Sequence, residues 1–136
     1  MSTAAQETGK LVLRLSVGIL ILLHGIAKLQ NGIEPIMGMV SGAGLPAQLA
    51  YGVYIGEVLA PILLIIGLWT RPAALVMVIN MLVAIYLAHL SQLATLNEKT
   101  GGWALELQGM FLFGAIAVAL LGAGRFSLGG AGGKFN

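Results

Sequence analysis

Four runs of about twenty mostly apolar residues constrain this chain more than any other feature of its sequence. They extend roughly over Leu11–Leu29, Gln48–Trp69, Pro72–Ala94 and Trp103–Gly122. A helix needs ~20 such residues to cross the ~30 Å hydrocarbon core of a bilayer. Only 9% of the 136 residues are charged, whereas soluble domains contain roughly 25%. The sequence therefore predicts an all-α, integral membrane four-helix bundle that forms one domain over residues 1–136.

The connections between the four runs refine this prediction. Only Thr70 and Arg71 separate the second run from the third, and Pro72 suits the first turn of a helix. This spacing predicts a tight helical hairpin. The loop from Gln30 to Ala47 mixes turn-forming Gly and Pro with apolar residues, which predicts a short helix at the membrane interface. The glycine-rich segments after the fourth run predict a helix stop and a flexible tail.

Composition and periodicity exclude several classes of protein. Spanning strands alternate in polarity and close into barrels, whereas these runs are continuously apolar. The chain has no cysteine, which excludes thiol relays, disulfides, iron–sulfur ligation and thiolate metal sites. It has no pattern of interleaved basic and aromatic residues, so no nucleic-acid partner is expected. The expected surroundings are the lipid bilayer.

Basic residues near the run ends predict the orientation in the membrane. One side holds Lys10, Arg14, Arg71, Arg125 and Lys134, and the other holds Lys28 and Lys99. Because basic residues accumulate in cytoplasmic loops, both termini are expected in the cytoplasm, in a multi-pass protein of the inner membrane. The first run resembles a signal peptide, but no small-x-small cleavage site follows it. We therefore expect it to be retained.

Ionisable side chains from all four runs gather in the predicted outer half of the bilayer, with Glu57 the deepest of them. They are His24, Lys28, Glu57, His89 and Glu106. Each needs a partner or a purpose, because a charge at mid-bilayer costs about 2.5–3.5 kcal/mol. At ~100° per residue, His24 and Lys28 share one helix face, whereas Asn80 points almost opposite His89. We therefore expect a polar pocket from the first set and assign Asn80 to a different helix contact.

Glu57 is the strongest candidate for a functional residue. A carboxyl within the membrane must be protonated or paired with Lys28 or a histidine. Pro61 disturbs the helix four residues later and frees the carbonyl of Glu57. The small residues Gly52, Gly56 and Ala60 lie one position away and let another helix approach closely. Close packing beside a carboxyl predicts a ligand pocket.

The remaining polar residues have alternative interpretations. His24 and His89 could ligate a haem, or bind a divalent metal together with Glu57 and Glu106. The favoured interpretation is that each histidine hydrogen-bonds a glutamate or a backbone carbonyl and locks the bundle. We assign no metal ligand from the sequence. Arg14 and Arg71 are expected to anchor at headgroups or bond helix C-terminal carbonyls.

Several short motifs in order resemble those of the DoxX family of small four-helix bacterial membrane proteins. The resemblance covers roughly Arg14 to Leu128, and its motifs are Arg14–Gly18, His24–Leu29, Gly44–Pro46 before Glu57, Gly67–Arg71 with Ala73–Leu75, Met81–His89, Gly101–Trp103 and Gly122–Leu128. The family often has Asp where Gly129 stands, and its acidic residue commonly follows the aromatic directly, whereas Glu106 lies three positions after Trp103. The resemblance implies a helical bundle in the cytoplasmic membrane. Relatives include the small membrane subunit of a thiosulfate:quinone oxidoreductase.

These observations lead to a functional hypothesis. We interpret the chain as a subunit of a membrane redox complex that binds a quinone-like molecule in the outer-half pocket. Glu57, His24 and His89 would hydrogen-bond the ligand and relay protons, and Lys28 would favour its anionic form. Trp103 would cap the ring, and Glu106 is a further candidate for binding the ligand or handling protons. Electrons would come from a partner redox subunit. The alternatives are a structural or assembly subunit, a small carrier, or a haem protein, with homo-oligomers open to each.

Overall fold

The computed structural model describes all 136 residues. It contains five helices, joined by turns and loops, and no strand. The helices are α1 (Ala4–Asn31), α2 (Glu34–Gly42), α3 (Ala47–Ile66), α4 (Thr70–Gln92) and α5 (Glu106–Leu121). Three of them, α1, α3 and α4, are long and apolar enough to span a membrane. The predicted all-α membrane bundle is confirmed, and the chain is a multi-pass membrane protein.

Helix α1 begins before the predicted start at Leu11 because a capping box lies upstream. The Gln6 backbone N–H donates to Thr3 Oγ1 at 3.1 Å, and the Thr3 N–H donates to Gln6 Oε1 at 2.7 Å. These two bonds satisfy N–H groups that a helix start otherwise leaves unpaired. The helix therefore runs through a polar first turn that hydropathy alone assigns to the loop.

A three-residue connection joins α3 to α4. Gly67 adopts the left-handed conformation with φ 75°, and the Leu68 N–H donates to the Leu63 carbonyl at 3.0 Å. Together with the bond from the Gly67 N–H to the Leu64 carbonyl at 3.2 Å, this is a Schellman motif. The connection thus lies at residues 67–69, and Thr70 already belongs to α4. The predicted turn at Thr70–Arg71 is displaced toward the N-terminus.

Helix α5 is shorter than the fourth apolar run. Residues 93–105 form a folded loop in which Leu96 pairs with Trp103 as an isolated β-bridge, and the Trp103 indole N–H donates to the Leu93 carbonyl at 2.8 Å. This pairing holds Trp103 outside the helix, so the predicted start at Trp103 is wrong. The 16 residues of α5 cover ~24 Å at ~1.5 Å per residue, which is less than the bilayer core.

The bundle packs α1, α3, α4 and α5 around one apolar core. Ile21, Leu64, Met77 and Val118 contribute one buried side chain from each of these helices. A smaller cluster of Ile33, Val40 and Ala50 lies beneath α2. Large apolar side chains cover the outside as well; Met110 and Leu120 on α5 are 70% and 74% exposed. Such a surface is suited to lipid rather than water.

The residues after α5 are not a free tail. The Leu128 N–H donates to the Ile66 carbonyl at 2.9 Å, and the Gly129 N–H donates to the Gly67 carbonyl at 3.0 Å. Asn136 Oδ1 accepts from the Thr70 N–H at 3.1 Å and from its hydroxyl at 2.9 Å. The flexible tail predicted from glycine content is therefore wrong. The unpaired carbonyls at the end of α3 supply acceptors that hold the segment in place.

Candidate functional site

The buried carboxylate of Glu57 joins three helices. Its side chain is 4% exposed. Lys28 Nζ on α1 donates to Glu57 Oε1 at 2.5 Å, and Asn80 Nδ2 on α4 donates to Glu57 Oε2 at 3.1 Å. Both carboxylate oxygens are therefore paired, as a buried charge requires. Of the partners that the sequence suggested for Glu57, the structure shows Lys28 rather than a histidine, and it shows Asn80 as a second partner.

The ion pair leaves hydrogen-bonding capacity on its basic partner. The Lys28 side chain is 30% exposed, and an ammonium group has three N–H donors. Glu57 accepts from Lys28, and no other side chain accepts from it. Two donors thus remain for a ligand or for water, next to a carboxylate that can hold a proton.

A π-helical turn in α3, Ile55–Leu59, presents Glu57. The Ala60 N–H bonds to the Ile55 carbonyl, one residue further back than in an α-helix, and Pro61 follows without an N–H to restore the regular ladder. A methyl group at Gly25 of α1 would lie 2.0 Å from the Glu57 carbonyl oxygen. The disturbed backbone therefore faces α1 at a point where only glycine fits.

The close helix contacts differ from those predicted. A methyl group at Gly56 would meet the Asn80 side chain at 2.6 Å, whereas one at Gly52 would meet nothing within 4 Å. Of the three small residues predicted to pack against another helix, Gly56 and Ala60 do so and Gly52 does not. On α1, Gly18 packs on Ile65 and the Pro61 carbonyl. Sequence reasoning missed Gly18 and Gly25, although their spacing of seven residues places them on one helix face.

A second π-helical turn, Ile85–His89 in α4, presents His89. His89 Nδ1 lies 3.0 Å from Gln92 Oε1, and Nε2 lies 3.4 Å from Gln108 Nε2. With both amides in these orientations, a neutral His89 ring donates from Nδ1 to Gln92 and accepts at Nε2 from the Gln108 amide. The extra residue of the π-turn shifts the facing by about 100°. Asn80 and His89 consequently line the same cavity, and the prediction that they point apart is wrong.

A cavity of about 420 Å³, termed the large cavity, lies between α2, α3 and α4. Thirteen of its 19 lining residues are hydrophobic. Its polar side chains are Lys28, Glu57, Asn80 and His89. Pockets for drug-sized ligands measure ~300–1,000 Å³ and combine apolar walls with a few polar groups. The large cavity therefore has the size and lining for a small lipid-soluble molecule.

A cavity of about 200 Å³, termed the small cavity, adjoins the same polar residues. It is lined by His24 and Gln108 together with Lys28, Glu57 and His89, and by Ile21, Met81, Ala84, Leu107 and Phe111. Lys28, Glu57, Ala84 and His89 line both cavities and are termed the shared wall. The His24 ring packs edge-on against Phe111 with centroids 5.5 Å apart.

Two of the expected site residues lie outside both cavities. Trp103 packs its ring over Gly109 and bonds to Leu93. Glu106 is exposed at the start of α5, with its carboxylate beside Gly102. Neither side chain lines the large or the small cavity, because the folded loop 93–105 holds both near its own backbone. The structure therefore does not bring Trp103 or Glu106 to the cavities where the other predicted site residues meet.

Arg14 and Arg71 each bond the last carbonyls of another helix. Arg14 Nη1 donates to Leu64 at 2.7 Å and to Ile65 at 2.8 Å, near the end of α3. Arg71 Nη1 donates to Ala119 at 3.0 Å and to Leu120 at 2.8 Å, near the end of α5. Cationic side chains stabilise these carbonyls and the negative end of the helix dipole. Neither arginine lines the large or the small cavity.

The arrangement offers no cluster typical of a metal centre. No group of three or more His, Cys, Asp and Glu side chains lies close enough together to hold a metal ion. His24 and His89 do meet at the small cavity, but its volume is below that of pockets that hold drug-sized ligands. The geometry therefore favours hydrogen bonding and proton handling over ligation of a large cofactor by these two histidines.

Comparisons with known proteins agree with the fold and the site region. The sequence profile of the DoxX family matches residues 9–90, which include Lys28, Glu57, Asn80 and His89. The chain is 33% identical over 79 residues to a Bacillus subtilis protein named "Putative oxidoreductase CatD", and the match covers 58% of each chain. It is 35% identical over 79 residues to an uncharacterized protein of Haemophilus influenzae, again with 58% of each chain covered.

The match thus spans less than two thirds of these relatives. No solved structure matches the chain. Because the family profile covers more than half of the sequence, including every polar residue that lines the large cavity, the chain belongs to the DoxX family.

Proposed function

We propose that this protein binds a quinone-like, lipid-soluble molecule in the large cavity and serves as a membrane subunit of a redox complex. The observation that carries the proposal is the Lys28–Glu57–Asn80 cluster on the wall of an otherwise apolar cavity. Apolar walls suit a hydrocarbon ring or tail, and the polar end suits carbonyl oxygens. The name of the Bacillus subtilis relative adds support for an oxidoreductase context.

The polar residues have distinct roles in this proposal. A bound quinone supplies two-electron, two-proton chemistry. The free N–H donors of Lys28 orient a carbonyl oxygen and stabilise negative charge on it. Glu57 and His89 hold or release protons at the cavity surface. The π-turns that present Glu57 and His89 are typical of functional sites in helices. Electrons come from a partner redox subunit.

Replacing Glu57 by glutamine is expected to abolish retention of decylubiquinone. The amide removes the charge that holds Lys28 against the cavity wall, so the ammonium no longer points at the ligand. We expect at least a tenfold loss of affinity, about 1.4 kcal/mol. Native mass spectrometry of protein released from mild detergent would measure the fraction that retains decylubiquinone mass.

The matched control for this variant is Glu98→Gln, at an exposed position of loop 93–105. It makes the same chemical change at a residue that lines neither cavity and should retain decylubiquinone like the wild type. Equal retention by a folded Glu57→Gln variant would contradict the proposal. A lower unfolding temperature without any ligand effect would instead support an assembly role, which is favoured by the complete pairing of the Glu57 oxygens.

The proposed orientation places both termini in the cytoplasm of an inner-membrane protein. Because the chain has no cysteine, single cysteines report topology without background labelling. In intact bacterial cells, a membrane-impermeant maleimide is expected to label Thr100→Cys and to spare Lys134→Cys until the cells are opened. Both positions are exposed, so a difference in labelling reports the side of the membrane. The reverse pattern would refute this orientation.

A further inference from the structure

The two cavities differ in polarity although they share one wall. The large cavity is mostly hydrophobic, whereas five of the ten residues that line the small cavity are polar. His24 and Gln108 line only the small cavity. The ionisable groups that face it are His24, Lys28, Glu57 and His89. The small cavity therefore gives a second polar approach to the shared wall.

The small cavity lies close to the end of the bundle that holds loop 93–105. Lys28 and His89 each lie within one turn of the last residue of their helix, and Gln108 lies in the first turn of α5. At ~1.5 Å per residue these positions are ~5 Å or less from the helix ends. Ile21, Met81 and Phe111 form an apolar floor on the other side. Its polar side thus faces the membrane surface, where water is near.

Polar groups around the small cavity retain unused hydrogen-bonding capacity. The His24 ring nitrogens bond to no protein group, and the ring packs edge-on against Phe111. Lys28 keeps two N–H donors. A volume of about 200 Å³ accommodates several waters at ~30 Å³ each, and buried waters need two to four polar partners. The residues present supply them.

We propose that the small cavity is a water-filled proton inlet that supplies the shared wall. Protons pass from water beside His24 and Gln108 to His89 and the Lys28–Glu57 pair, and from there to the large cavity. This inference rests on the proposed function, because a ligand that takes up two protons and two electrons gives the inlet its purpose.

The hydration of the small cavity can be tested without any ligand. A cationic methanethiosulfonate reagent reacts only with thiols that contact water, and the chain has no cysteine of its own. The Gln108→Cys variant is expected to react at least tenfold faster than Met110→Cys, the matched control on the lipid-facing side of α5. His24→Cys provides a second position should the loss of Gln108 disturb folding. Equal, slow reaction at both cavity positions would overturn the inlet.

Proton delivery needs a second measurement. Two equivalents of reduced methyl viologen, a one-electron reductant that releases no proton when it is oxidised, supply two electrons to decylubiquinone bound to the full chain. Two protons from water convert its two carbonyls to hydroxyls, and an indicator dye follows their uptake. Gln108→Leu, which fills the polar side of the cavity, is expected to slow uptake about tenfold and leave retention unchanged. Unchanged uptake would overturn the inlet alone. A wild-type protein that retains no decylubiquinone would overturn the proposed function and this inference with it.

Discussion

Replacing Gly25 by alanine is expected to separate α1 from α3 and to destabilise the protein by about 2 kcal/mol net. The new Cβ would lie 2.0 Å from the Glu57 carbonyl oxygen and 2.6 Å from its carbonyl carbon. Both are backbone atoms inside a helix, so neither can yield by a rotamer change. Overpacking costs of typically 1–3 kcal/mol outweigh the ~1 kcal/mol that alanine gains over glycine in helix propensity. The net effect is therefore destabilising.

Loss of the Lys28–Glu57 pair should accompany this destabilisation. Lys28 lies one turn beyond Gly25 on the same helix, and its 2.5 Å contact with Glu57 requires the close approach of α1. Thermal unfolding in detergent measures stability, and retention of decylubiquinone measures the site. We expect both to fall in Gly25→Ala.

Two glycines on the same helix make this prediction specific. A Cβ at Gly9 would meet nothing within 4 Å, whereas one at Gly18 would meet the flexible Ile65 side chain at 2.9 Å and the Pro61 carbonyl at 3.2 Å. Gly9→Ala should therefore be neutral or stabilising, and Gly18→Ala intermediate. If all three variants unfold at the same temperature, close contact at Gly25 does not hold α1 against α3.

The sequence predicts the class of this fold because length and apolarity act locally. Twenty apolar residues in a row have few alternatives in a bilayer, so three of the four runs appear as spanning helices. The ends of the helices are less predictable, because they depend on distant partners. Helix α5 starts at Glu106 only because the indole of Trp103 bonds to the Leu93 carbonyl across the loop.

The sequence predicts the depth of the candidate site residues in the membrane but not all of their directions. Depth along a helix follows from residue number, and Lys28, Glu57 and His89 do meet at the shared wall. The side of a helix on which a residue lies follows from a rotation of ~100° per residue, and a π-turn changes that rotation by adding one residue to a turn. One such turn lies between Asn80 and His89, so angular counting places Asn80 on the wrong side. No residue pattern in the sequence reveals the extra residue in that turn.

Substitution of Arg14 by methionine is expected to destabilise the protein more than any other single change, by about 3–5 kcal/mol. The side chain is 1% exposed, and its two Nη groups bond the carbonyls of Leu64, Ile65 and Phe126 at 2.5–2.8 Å. Hydrogen bonds from a charged group contribute roughly 1.5–3 kcal/mol each, and unpaired buried acceptors are costly. The methionine has a side chain of similar volume but no donor, so the Ile65 and Phe126 carbonyls lose the donor that Arg14 gives them, and the Leu64 carbonyl keeps only the Gly67 N–H.

Two variants separate the donors of Arg14 from its charge. Arg14→Lys keeps the charge, but an ammonium lacks the planar array of N–H donors with which a guanidinium bonds the end of α3 and the Phe126 carbonyl at the same time. It should recover part of the lost stability in thermal unfolding. Arg125→Met removes an exposed guanidinium that lies over the Phe126 ring at 4.9 Å, and should cost no more than ~1 kcal/mol. Full recovery by lysine would mean that charge at the end of α3, rather than the number of bonded carbonyls, gives Arg14 its role.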